Sequence, residues 1–176
     1  AVEANQGASV KESQKQNFLR LIKIPALQIV LAMSVGIFFF NHGLNNWLPE
    51  ILRSKGMSAT QAGYLASVPA VFAVMASLTI PRLAIPERRI WILCILFMSC
   101  GLSSLMLQAT TGPILPIALV LQGLARGSAM TLSILVLLDI PEIGSKRAGV
   151  AGGMFFSAAE IGGVMGPVSI GILSDM

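Results

Sequence analysis

The sequence predicts an all-α membrane protein with five transmembrane helices. Three observations carry that fold class. Of 176 residues, 55% are apolar and only 11% are charged, whereas soluble domains carry about a quarter charged residues. The mean hydropathy of +0.79 excludes disorder and argues against a water-soluble globule. The apolar residues also gather in five runs, each long enough to cross a bilayer, without the alternation that marks barrel strands.

Residues 1–23 are polar and read as a flexible cytoplasmic lead-in that ends in a short amphipathic turn. No signal peptide is visible there. Residues 24–176 form the membrane domain. Its first span, 24–47, is closed by Pro49 and the Gly56–Met57–Ser58 stretch. The second, 62–80, holds Pro69 as an internal kink and is stopped by Pro81. Arg82, Arg88 and Arg89 follow in eight residues. The third span is 90–109, and Thr110–Thr111–Gly112–Pro113 makes a tight turn into the fourth, 114–140. A polar loop, Pro141–Arg147, leads to the glycine-dense fifth span, 148–173. Cys94 and Cys100 lie six residues apart on one helix, ~9 Å along its axis. That is too far for a disulfide. Scattered methionines, Met33, Met75, Met98 and Met106, serve as core or lipid-facing filler.

Basic residues set the orientation. Lys11, Lys15, Arg20, Lys23, Arg82, Arg88, Arg89, Lys146 and Arg147 fall on one side of the membrane, Arg53 and Lys55 on the other. The positive-inside rule then places the N-terminus in the cytoplasm. The charge excess of +4 reports this orientation rather than nucleic-acid binding. The chain opens on Ala1 and ends on an odd number of spans, so the sequence predicts a fragment lacking at least one helix.

Three features inside the membrane carry chemistry. Arg126 lies about halfway along the fourth span, where a charge costs at least ~2.5–3.5 kcal/mol on insertion scales. Gln122 and Ser133 share its face and extend a polar stripe that avoids lipid. Glu160 lies near the middle of the fifth span, on one face with Gly153, Ser157, Pro167 and Gly171, while Gly162 and Gly166 point the opposite way. Arg126 and Glu160 thus sit at similar depth on consecutive helices. They serve as a solute or proton-coupling site, as a charge pair locking two helices, or as both. The third feature is Asn41–His42–Gly43–Leu44–Asn45–Asn46–Trp47 near the end of the first span. Asn41, His42 and Asn45 line the outer part of a solute pathway, or else form an interfacial cap with Trp47 in the aromatic belt; His42 could titrate near neutral pH. The glycines Gly153, Gly162 and Gly166 with Pro167 let helices approach closely or bend.

Enzyme signatures are missing. The chain has no HExxH, GxSxG, P-loop, CxxC or GxGxxG motif. No enzyme activity, cofactor, metal or nucleic-acid partner is expected.

Four stretches resemble the second half of the major facilitator superfamily. Asn45 to Glu50, Gly56–Met57–Ser58 and Ala62–Gly63 are similar to its seventh helix, the outer loop and the start of the eighth. Arg82, Arg88 and Arg89 resemble a degraded form of the basic motif between helices eight and nine, whose Gly and Asp are absent here. Pro141–Glu142 through Arg147–Ala148–Gly149 resembles the loop between helices ten and eleven. Gly153 to Pro167 resembles a glycine motif of the fifth helix, the equivalent of helix eleven, with its closing pair reduced to Ile170–Gly171. Within the superfamily the chain looks like the cyanate and nitroimidazole permease-like branch.

This resemblance implies two six-helix bundles with a solute site between them near mid-membrane. The first bundle and the twelfth helix would be missing partners. Asn41, His42, Asn45, Gln122, Arg126 and Glu160 would lie on the pathway, and Gly153, Gly162, Gly166 and Pro167 would pack helices. The expected function is secondary transport of a small solute, with anions as candidates, across the cell membrane, a bacterial inner membrane, by alternating access, with protons as a candidate coupling ion. A non-transporting sensor or assembly subunit on the same fold is the alternative. A membrane enzyme is the weakest reading, since no nucleophile–base pair appears.

Overall fold

The structure is a computed structural model; it describes residues 16–108 and 112–174, without the side chains of Ser145 and Lys146. Most of the lead-in, including Lys11 and Lys15, and the Thr110–Thr111 part of the third turn lie outside the described residues. Among the described residues every regular element is helical: α1 Pro25–Ser54, α2 Ala59–Leu83, a 3₁₀ turn Pro86–Arg88, α3 Arg89–Met106, α4 Ile114–Asp139 and α5 Gly144–Ser174. Residues 16–21 form a further helical turn ahead of α1. All five helices are long and apolar enough to cross a membrane.

Several ends differ from the hydropathy reading. α1 runs seven residues past Trp47, straight through Pro49. A proline removes only its own N–H bond, and the helix resumes beyond it at some cost. The stop comes at Gly56, whose φ of 87° takes the left-handed conformation that glycine adopts freely. α2 likewise continues through Pro81 to Leu83. It starts on a capping box: Ser58 Oγ accepts from the Gln61 backbone N–H at 3.2 Å, and the Ser58 N–H donates to Gln61 Oε1 at 3.1 Å. α5 begins at Gly144, a turn before the expected loop ends.

The closest pairings are α1 with α5 and α2 with α4, with α3 packed on α4. Both main pairs are parallel. Along α1 and α5, a Cβ on Gly162 would strike Val35 O, and one on Gly166 would strike Phe39 O. Further along, Trp47 Nε1 donates to Pro167 O at 3.0 Å. Along α2 and α4, a Cβ on Gly123 would overlap Pro69 and one on Gly127 would overlap Ala73. Each seam is therefore a glycine pair four residues apart, meeting backbone on its partner. The first helix of one three-helix unit (α1) meets the second of the next (α5), and α4 meets α2 in the same way. That exchange is what two repeated units rotated about an axis between them produce.

The core fills in three layers. At the basic end lie Leu27, Val30, Leu137, Ile140, Met154 and Phe155. In the middle lie Ile37, Phe38, Leu93, Leu96, Ala129 and Ala159. At the far end lie Leu48, Leu52, Ala62, Leu115 and Leu119. The outside is as apolar as the inside: Tyr64, Val74, Trp91, Met98, Val164 and Leu173 are each more than half exposed. Water does not tolerate so large an apolar surface, and lipid does.

At the basic end Arg89 ties the chain together. Its Nη1 donates to both carboxylate oxygens of Asp139, at 2.5 and 2.6 Å, and its Nε to the Ala84 carbonyl at 3.1 Å. One side chain thus joins the start of α3, the end of α4 and the turn after α2, while Arg82 and Arg88 stay exposed. Asp139 is 43% exposed, so Asp139→Asn is expected to cost only about 1 kcal/mol. Thermal unfolding in detergent should show Asp139→Asn and Arg89→Ala to be non-additive, with the loss shrinking in high salt.

Candidate functional site

The polar residues within the membrane divide into an inward group and an outward-facing group. The inward group lies on α4 and one face of α1. Gln122 and Ser133 are 1% and 0% exposed, so the stripe around Arg126 faces protein, as its cost in lipid requires. Gln122 Oε1, Ser128 Oγ, Ser133 Oγ and Asn41 Oδ1 are buried and make no hydrogen bond among the described residues. Arg126 itself is half-buried and joins no ion pair or hydrogen bond there.

Asn41 separates from the residues expected beside it. It lines a cavity of about 230 Å³ between α1, α3 and α4, together with Phe40, Cys100, Gly101, Ser104 and Ala125. His42 and Asn45, one and four residues on, are both exposed. His42 is turned ~100° round the helix from Asn41, whereas Asn45 is turned only ~40° and lies at the exposed edge of the same face.

The outward-facing group lies at the α1–α5 seam. Glu160 is exposed, not paired with Arg126. α5 packs mainly on α1 and only slightly on α4, so similar depth does not bring the two charges together. The carboxylate instead turns toward α1. The space that a side chain on Gly163 would fill is bordered at 3.3 Å by Glu160 Oε2 and at 3.7 Å by His42 Cδ2. His42 is stacked on Phe38, with ring centroids 5.3 Å apart and 25° between the planes. Because α1 extends to Ser54, His42 lies near the middle of its helix rather than near its end.

The glycines sort by face. Gly162 and Gly166 are buried against α1, while Gly153 is exposed with Ser157 and Glu160. Pro167 and Gly171 touch Trp47, which makes Trp47 a seam residue as well as an amphipathic one. Sequence reading passed over Gly123 and Gly127, although Gly123–Leu124–Ala125–Arg126–Gly127 carries the same four-residue spacing. The His42–Glu160 approach had no signal in the sequence, because it depends on helix register across 118 positions.

A model of the Major Facilitator Superfamily matches residues 3–175. The chain belongs to the major facilitator superfamily. Among curated proteins this superfamily member is similar to the uncharacterized transporter YycB of Bacillus subtilis (strain 168), with 26% identity over 156 residues. That match takes in 85% of the chain but 37% of YycB, so the chain spans well under half the length of this relative. No solved structure matches it.

Proposed function

We propose that the chain is the second half, helices seven to eleven, of a secondary active transporter that moves a small anionic solute by alternating access. The observation that carries this reading is Arg126: a guanidinium half-buried in the middle of a membrane helix, among buried polar atoms, with no counter-charge among the described residues. A cation in that position is costly until something neutralises it. A solute anion would do so, and bidentate geometry suits Arg to carboxylates and oxyanions.

The remaining members of the pathway are Asn41, His42, Asn45, Gln122 and Glu160. Their missing counterparts would come from a six-helix bundle closing over the exposed faces of α1 and α5, with a twelfth helix completing this half. The similarity to a protein described as a transporter supports the general class. The basic end, carrying Arg82, Arg88, Arg89 and Arg147, supports a cytoplasmic N-terminus, and the five apolar helices support a place in the cell membrane, which in a bacterium with two membranes would be the inner one. The cyanate and nitroimidazole permease-like branch remains the proposed subgroup, consistent with a small anion.

The test is uptake by the full natural chain in proteoliposomes, offered nitrate, phosphate, sulfate and succinate against neutral and cationic solutes of similar size. Movement of at least one anion, in preference to the others, is expected. Transport of only cations or neutral solutes would overturn the anionic assignment. No transport of any solute, with a folded protein, would favour a sensor or assembly subunit.

A further inference from the structure

His42 and Glu160 border one gap from different helices, and the transport role of Arg126 does not use that arrangement. The glycine between them matters. Gly163 supplies no side chain, and the gap is bordered by the Glu160 carboxylate, the His42 imidazole and the Phe38 ring. Phe38 is buried, so its stacked ring limits how the imidazole can turn. Both polar groups are exposed and lie near mid-helix on parallel helices. Neither makes a hydrogen bond or ion pair among the described residues.

We propose that His42 and Glu160 form one proton-carrying site, separate from Arg126, that couples solute movement to proton movement. The proposal rests on the transport reading above. The step needs only a proton from water on one side of the membrane. It adds to the free ring nitrogen of His42, or to a Glu160 oxygen, and the pair passes from a net charge of −1 to zero. Deprotonation to water on the other side restores the starting state.

Charge accounting explains why two separate sites would work together. In the empty, deprotonated state Arg126 and Glu160 hold opposite charges that do not meet. Each is costly at mid-membrane. An anion neutralises Arg126, and a proton neutralises the His42–Glu160 pair. The loaded state then carries no unmatched charge, so it is the state best able to rearrange within a low-dielectric bundle. Other charges around α1 are accounted for. α5 contributes Glu160 alone along its membrane length, α4 contributes Arg126 and the Arg89-paired Asp139, and α2 contributes only Arg82 at the basic end. Glu50 and Arg53 lie two or more turns further along α1 and pair with each other at 3.0 Å.

Two measurements on the full natural chain in proteoliposomes test this. The first is infrared difference spectroscopy between acidic and neutral pH, which needs no solute. Glu160→Gln should remove one carboxylic C=O band, and His42→Gln and Gly163→Leu should each shift that band in frequency. A band that both variants leave unmoved overturns the pair. The second follows luminal pH with a trapped dye while nitrate, phosphate, sulfate or succinate enters. Wild-type protein should acidify the lumen as the anion enters, and Glu160→Gln and His42→Gln should each lose proton movement from whatever anion flux remains. Proton movement that persists in both variants overturns the coupling. If no anion moves in the wild type, the anion-transport reading fails, and the infrared shift still decides whether the two side chains form one site.

Discussion

Replacing Gly127 with valine is expected to leave almost no correctly folded protein. A Cβ at that position would overlap the carbonyl carbon and oxygen of Ala73. These are helix backbone atoms, which cannot swing aside as a side-chain tip can. Forcing extra methylenes into a packed core costs about 1–3 kcal/mol when side chains can adjust. Here α2 must move away from α4 along much of their shared length, so the cost should exceed ~3 kcal/mol, a large share of a typical total stability of ~5–15 kcal/mol. Gly162→Val should do the same at the other seam, where the obstacle is Val35 O. Gly63→Ala is the control, because no atom lies within 4 Å of its Cβ position. Size-exclusion of a fluorescent fusion of the full chain would read the outcome. A monodisperse Gly127→Val protein with wild-type melting behaviour would mean that α2 and α4 stand further apart than described.

The two glycine seams suit the solvent. In lipid there is no hydrophobic force to draw helices together, because acyl chains are as apolar as leucine. Close van der Waals contact has to supply the attraction, and small residues permit it. In the α1–α5 pair they sit on the later helix, as Gly162 and Gly166, and in the α2–α4 pair they also sit on the later helix, as Gly123 and Gly127. Under the exchange of repeat units, however, α5 corresponds to α2 rather than to α4. The two repeats therefore solve one packing problem with the small residues on opposite partners.

The five helices were legible because hydropathy over some twenty residues measures the very property that membrane insertion demands. Their ends were less so. Pro49 and Pro81 look like stops in sequence, yet each costs a helix only one hydrogen bond and some local strain. Arg126, Gln122 and Ser133 were placed on one inward face by their spacing alone, since that face is a property of a single helix. Which residues meet between helices was not legible. Similar depth suggested that Arg126 faces Glu160, but the packing sends α5 to α1, so Glu160 lies beside His42. The register of parallel helices distant in sequence leaves no trace in either segment read alone. Asn41 illustrates the same limit at short range: its i, i+4 relation to Asn45 was real, but its amide turned into the cavity lined by Cys100 and Ser104.

Arg126→Ala should separate folding from function. Were Arg126 locked to a buried carboxylate, removing it would strand the partner and cost ~3–5 kcal/mol. No such partner is present among the described residues, so the variant should reach the membrane at wild-type levels or above, relieved of the ~2.5–3.5 kcal/mol that a central charge costs on insertion. Anion uptake by the full chain should nonetheless fall at least ~100-fold, the loss expected when a desolvated, charge-assisted contact worth about 3 kcal/mol disappears. Arg126→Lys keeps the charge but not the planar fork, and should retain intermediate uptake. The charge exchange Arg126→Glu with Glu160→Arg should fail to restore transport, because the two positions face different neighbours. Restored transport in that double variant, or a collapse in expression of Arg126→Ala, would mean that the two charges do meet in another conformation of the transport cycle. Glu160 would then neutralise the empty site, and the anion would displace it from Arg126 rather than fill a vacant charge.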